Sequence, residues 1–65
     1  MPYMHIRITD EGVSSKQKQQ LIEGSTQLLV EVLNKKPEYT HVVIEEVPTE
    51  NWGVSGQQYS TILQQ

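Results

Sequence analysis

Two stretches of this chain alternate apolar and polar residues, residues 3–9 and 40–47, and the distance between them restricts what they can form. In the first, Met4, Ile6 and Ile8 point one way and Tyr3, His5, Arg7 and Thr9 the other. In the second, Thr40, Val42, Ile44 and Glu46 oppose His41, Val43, Glu45 and Val47. A two-residue turn would make such strands antiparallel, but residues 10–39 intervene, enough for a helical crossover. Strand, helix, strand is the order of a βαβ unit, with parallel strands and the helix laid on one face of the sheet. The helix is expected to cover Met4, Ile6, Ile8, Val42 and Ile44.

The intervening segment carries helix signals at both ends. Asp10-Glu11-Gly12 ends the first alternation with turn-forming residues, and Ser14 stands three residues before Gln17, the spacing of a capping box. Leu21, Ile22, Leu28, Leu29, Val32 and Leu33, with small Ser25 filling the gap, then follow the rhythm of an amphipathic helix and predict one long buried face. Gly24 costs about 1 kcal/mol relative to alanine in a helix and marks either a close backbone contact or nothing. Asn34 suits a left-handed helix end, Lys35 and Lys36 suit the negative pole of the helix dipole, and Pro37 cannot continue the helix, which therefore stops by residue 36.

Beyond the second strand, Pro48-Thr49-Glu50-Asn51 predicts a turn and Trp52-Gly53-Val54-Ser55-Gly56 a tight hairpin or bulge. Residues 57–65 are polar apart from Tyr59, Ile62 and Leu63 and suggest a docked or frayed tail. The expectation is one α+β domain over residues 1–65. A chain this short buries only about 60% of the surface its unfolded form exposes. With 35% apolar content and no cysteine, it has neither a large private core nor a disulfide or zinc-cysteine staple. Two parallel strands under one helix also leave both sheet edges and the outer face without partners. Self-association is therefore expected, covering the face that carries His5, Arg7, His41 and Glu45, with Arg7 and Glu45 as the natural ion pair.

The net charge is −3, and the basic residues Arg7, Lys16, Lys18, Lys35 and Lys36 form no patch interleaved with aromatics, which disfavours nucleic acid. Leu28-Leu29-Val30 and Val42-Val43-Ile44 are too short to span a membrane, and no signal segment opens the chain, so a cytoplasmic location is expected.

Pro2 gives the chain its most distinctive chemistry. Once Met1 is removed, its nitrogen is a free secondary amine at the start of a strand and can act as a base. An ordinary α-amino group titrates at about 7.7–8.0, and an apolar pocket lowers that value by disfavouring the ammonium form. Met-Pro is also simply a common way to begin a chain.

Taken together, Pro2 opening the first strand, Gln17-Lys18 early in the helix, Val42-Val43-Ile44-Glu45-Glu46 as second strand and Trp52-Gly53-Val54-Ser55-Gly56 as closing element resemble the 4-oxalocrotonate tautomerase family over residues 2–56. The resemblance implies a βαβ subunit with a C-terminal β-hairpin, assembled as dimers and usually as a hexameric trimer of dimers. It also implies that Pro2 is the general base that interconverts enol and keto forms of small unsaturated 2-oxo acids, 2-hydroxymuconate among them, without metal or organic cofactor.

Departures from the family pattern bear on the substrate. The family's two carboxylate-binding arginines map onto Val13 in the loop before the helix and His41 at the second strand. Valine cannot replace a bidentate guanidinium, and histidine replaces it only in part. His41 is thus a candidate carboxylate or oxyanion donor, or else a polar residue satisfied within an interface. Trp52 matches the family's pocket aromatic and could supply the apolar wall beside Pro2, although such a residue also suits packing. Ser55 stands where the family's Gly-x-Gly has glycine. Arg7 is an alternative carboxylate anchor, and His5, His41 and Glu45 could share a face as metal ligands, an arrangement without a further ligand. The alternative to an enzyme is a non-catalytic oligomeric interaction protein on the same scaffold, since fold does not imply function.

Overall fold

A computed structural model describes residues 1–64. Strands β1 (Tyr3–Thr9) and β2 (His41–Val47) pair in parallel, in register from Tyr3 opposite His41 to Thr9 opposite Val47. Helix α1 (Ser15–Leu33) forms the crossover. The register has no bulge, so the side-chain alternation is preserved along both strands. Met4, Ile6, Ile8, Val42, Ile44 and Glu46 are half-buried, while Tyr3, His5, Arg7, His41, Val43 and Glu45 are exposed on the outer face.

The local chemistry of α1 sets its ends. The Ser14 hydroxyl accepts the Gln17 N–H at 3.1 Å and the Gln17 side-chain oxygen accepts the Ser14 N–H at 2.9 Å, closing the capping box. Such a cap contributes about 1 kcal/mol. At the other end Asn34 is left-handed, with φ 54° and ψ 41°, and its N–H donates to the Val30 carbonyl at 3.0 Å. A 3₁₀ turn (Pro37–Tyr39) then leads into β2. Thr40 closes that turn, its hydroxyl donating to the Lys36 carbonyl at 2.8 Å, so the second strand begins at His41, one residue later than its alternation suggests.

The helix does not bury the face that its sequence predicts. Half-buried positions are Lys18, Ser25, Thr26, Leu29 and Val30, whereas Leu28, Val32 and Leu33 are 51%, 69% and 54% exposed. At 100° per residue, Leu21, Leu28 and Val32 fall within about 40° of one another, to one side of the row that meets the sheet. The apolar stripe is thus wider than two strands can cover. Gly24 has nothing within 4 Å of where its Cβ would stand, so within one chain it marks no close contact.

The interior shows the same shortage. None of the described residues is fully buried. The surface is 4984 Å² where a folded monomer of this mass exposes about 4,200 Å². The radius of gyration is 15.0 Å against about 11 Å for a compact chain of this length.

One cross-element ion pair was not anticipated. Lys18, on the second turn of α1, reaches Glu46 on β2. The Lys18 ammonium, bonded to its side chain, holds the Glu46 carboxyl below its ordinary value of 4.5, outweighing the opposing effect of partial burial. Because the folded value lies below the unfolded one, the pair adds stability above about pH 4.5 and loses it as pH falls through the folded value. Glu46→Gln should therefore flatten the acid limb of stability, read as urea midpoints at pH 6 and pH 3 for both proteins.

The C-terminal segment is more ordered than its composition suggests. Gln57–Gln58 forms strand β4 against β3 (Gly53–Val54), and Tyr59–Leu63 forms a short helix, α2. The tail expected over residues 57–65 is thus hairpin and helix as far as described, with Gln65 outside the described residues. The connecting Ser55 and Gly56 have φ of 52° and 79°, the two positive angles of a tight hairpin turn. Glycine adopts that conformation freely, whereas serine costs about 1–2 kcal/mol there. Ser55→Gly should stabilise the fold by roughly 0.5–1 kcal/mol after glycine's entropic cost, measured by chemical denaturation.

Candidate active site

Pro2 lies immediately before β1, half-buried, and its carbonyl accepts the His41 N–H at 3.1 Å. This bond extends the parallel ladder by one residue and ties the proline to the start of β2. Beside it opens a cleft of about 490 Å³ lined by Met1, Pro2, Asn34, Lys35, Lys36 and Tyr39. A larger hollow of about 710 Å³ runs along α1 beside Gly24, with Glu23 as its one ionisable lining residue.

The other two candidates stand apart from that cleft within one chain. His41 is bonded to Pro2 through its backbone, but its side chain belongs to the exposed outer face with Tyr3 and Glu45 and does not line the cleft. Trp52 follows the C-terminal end of β2, after a 3₁₀ turn (Thr49–Asn51). It is half-buried, and its carbonyl accepts the Tyr59 N–H at 2.7 Å, which fixes it to the closing hairpin and α2. A seven-residue strand spans about 20 Å, so Trp52 and Pro2 of one chain lie at opposite ends of the sheet. Val13 is also at the far end, beside Ile8 and Leu21 in an apolar hollow of about 510 Å³.

On the outer face Glu45 meets two neighbouring side chains. Its Oε2 lies 3.1 Å from His5 Nε2 and 3.1 Å from Arg7 Nε. The Arg7–Glu45 pair expected from the sequence is therefore present, through Nε of the guanidinium. His41 is four residues from Glu45 along β2, about 13 Å, and among the described residues no three His, Cys, Asp or Glu side chains converge as metal ligands.

Lys35, Lys36 and Tyr39 were not singled out from the sequence as site residues. The available signal is the register: Tyr3 opposite His41 brings the residues just before 41 beside residue 2. Reading the two lysines only as partners of the helix dipole hides that placement.

Comparisons with known proteins agree with this architecture. The family model described as "Tautomerase enzyme" matches residues 2–62. The protein named "Probable tautomerase K2" from Dickeya dadantii (strain 3937) is 52% identical over 65 residues, 100% of this chain and 97% of that one. The 2-hydroxymuconate tautomerase of Comamonas testosteroni is 41% identical over 56 residues, 86% of this chain and 87% of its own. The crystal structure of DmpI from Helicobacter pylori has a TM-score of 0.91 at 39% identity, covering 98% of each chain. Among the described residues no helix is long and apolar enough to cross a membrane.

Proposed function

The chain belongs to the tautomerase family of isomerases, and from that premise we propose that it interconverts the enol and keto forms of small unsaturated 2-oxo acids with Pro2 as general base. The observation that carries this reading is the placement of Pro2, held at the head of the parallel sheet by the His41 N–H and opening on a cleft. Removal of Met1 converts its nitrogen from an amide to an amine. The neutral amine takes the proton of the enol hydroxyl as the C–O bond becomes a carbonyl. The displaced π electrons then take that proton at carbon, and the amine is restored. No atom or electron is left over, so the step needs no oxidant, reductant or co-substrate.

We place His41 and Trp52 as substrate contacts in an assembled site, His41 toward the developing oxyanion and Trp52 as the apolar wall that keeps the Pro2 amine neutral. The separation of Trp52 from Pro2 within one chain supports a site completed by a neighbouring copy. The same reading takes the working form as a homo-oligomer, a hexamer of paired subunits, built from one domain per chain. Valine in place of the loop arginine favours monocarboxylate enols such as phenylenolpyruvate over 2-hydroxymuconate.

Intact mass tests the first requirement. Active protein is expected to be lighter than the full chain by one methionine and to lose turnover on treatment with an amine-selective reagent. Fully active protein that retains Met1 throughout would overturn the role given to Pro2.

A further inference from the structure

The tautomerase reading leaves open which group holds the substrate's carboxylate once the family's arginines are replaced. Each cation of the chain can be weighed in turn. Arg7 is bound to Glu45, and Lys18 to Glu46. Lys16, on the first turn of α1, shares the end of the sheet that holds Trp52, so it is available only to the proline of a neighbouring copy and does not line the cleft of its own. Lys35 and Lys36 remain, and among the described residues neither makes a salt bridge; both line the Pro2 cleft.

Their backbone is firmly held. Asn34 ends α1 in a left-handed conformation, and the Lys35 N–H donates to the Leu29 carbonyl at 3.4 Å. Lys36 is extended ahead of Pro37, and its carbonyl accepts both the Tyr39 N–H at 3.1 Å and the Thr40 hydroxyl at 2.8 Å. The next residue, His41, donates its N–H to Pro2. Helix end, lysine pair, tyrosine and proline are thus fixed to one another by consecutive backbone bonds.

The dipole of α1 offers a competing use for the lysines, but its negative pole amounts to roughly half an elementary charge against two ammonium groups. That pole attracts the ammonium groups without neutralising them, and both charges stay available to an anion. On this basis we infer that Lys35 and Lys36 form the carboxylate anchor of the active site, with Tyr39 against the organic part of a monocarboxylate substrate. The inference rests on the Pro2 reading for its role in turnover but not for its binding.

The test uses the assembled, Met1-free protein and its Lys35→Gln, Lys36→Gln and double variants. Phenylenolpyruvate and its methyl ester serve as substrates, and the unreactive acid 3-phenylpropanoate as binding probe by NMR titration. The double variant should raise KM for the acid by roughly tenfold or more, change kcat by less than about threefold and leave the ester unaffected. Probe affinity should fall by a similar factor, and in the parent protein the probe should shift the amides of residues 35–39. Equal losses for acid and ester, or undiminished probe binding in the double variant, would overturn the anchor while leaving the Pro2 base intact. Lost probe binding in a family of variants whose turnover ignores Pro2 would uphold the anchor and overturn the base. Both lysines are exposed, so circular dichroism should be unchanged, and the single variants provide the same reading should the double variant misfold.

Discussion

Placing one residue ahead of Pro2, Met1 included, should lower kcat/KM by about 10²–10⁴-fold with little change in fold, because it turns the proposed base into an amide. The effect should be mainly in kcat, since Lys35, Lys36 and Tyr39 stay in place and an amide nitrogen cannot accept the enol proton at neutral pH. Met1 is exposed at the mouth of the cleft, so its presence strains nothing that circular dichroism or sedimentation would register. Pro2→Ala is a milder change: it keeps a primary amine after processing and should retain part of the activity. The ordering extended protein, Pro2→Ala, parent is therefore the expected result in stopped assays with phenylenolpyruvate. Extended protein that matches the parent would place the base elsewhere.

Val43→Asp should abolish assembly and, with it, the folded state. Val43 is 44% exposed on the outer face of β2, opposite His5. On a free-standing monomer an exposed substitution of this kind changes stability by within about 0.5 kcal/mol. In an assembly that covers the outer face, the new carboxylate would be buried next to Glu45, which already holds His5 and Arg7, and an uncompensated charge there costs about 3–5 kcal/mol at every copy of the interface. The parent should correspondingly melt at a temperature that rises with protein concentration. Sedimentation and thermal scans over a hundredfold dilution decide the matter. A parent that stays folded as a monomer, or a Val43→Asp protein that melts like it at every concentration, would remove the case for assembly. The case rests on the open fold: no described residue is fully buried, and Tyr3, Leu28 and Val32 stand exposed on two different faces.

The parallel βαβ frame was legible because each element writes its period into the sequence, two for the strands and close to four for the helix, and because Ser14, Gln17, Asn34 and Pro37 mark the helix ends chemically. Burial was less legible. A stripe containing Leu28 and Val32 announces contact but not with what, and the sheet takes only the row through Ser25 and Leu29. The Lys18–Glu46 pair was hidden for a related reason: it depends on which turn of α1 crosses which residue of β2, a quantity that no local pattern fixes. At the candidate site, Pro2 could be found from its position, whereas its neighbours Lys35, Lys36 and Tyr39 follow only from the register of two strands far apart in sequence.

The wide gap between Pro2 and Trp52 also bears on inheritance. Any pocket that uses both residues is built from two copies of the chain, so a damaged tryptophan harms not its own proline but that of its neighbour. In a mixed population, a chain blocked at Pro2 and a chain lacking Trp52 each supply what the other has lost, and some fully equipped pockets form by chance. Defects in this small chain would then be recessive toward one another, and selection would judge each substitution by the company it keeps in the assembly.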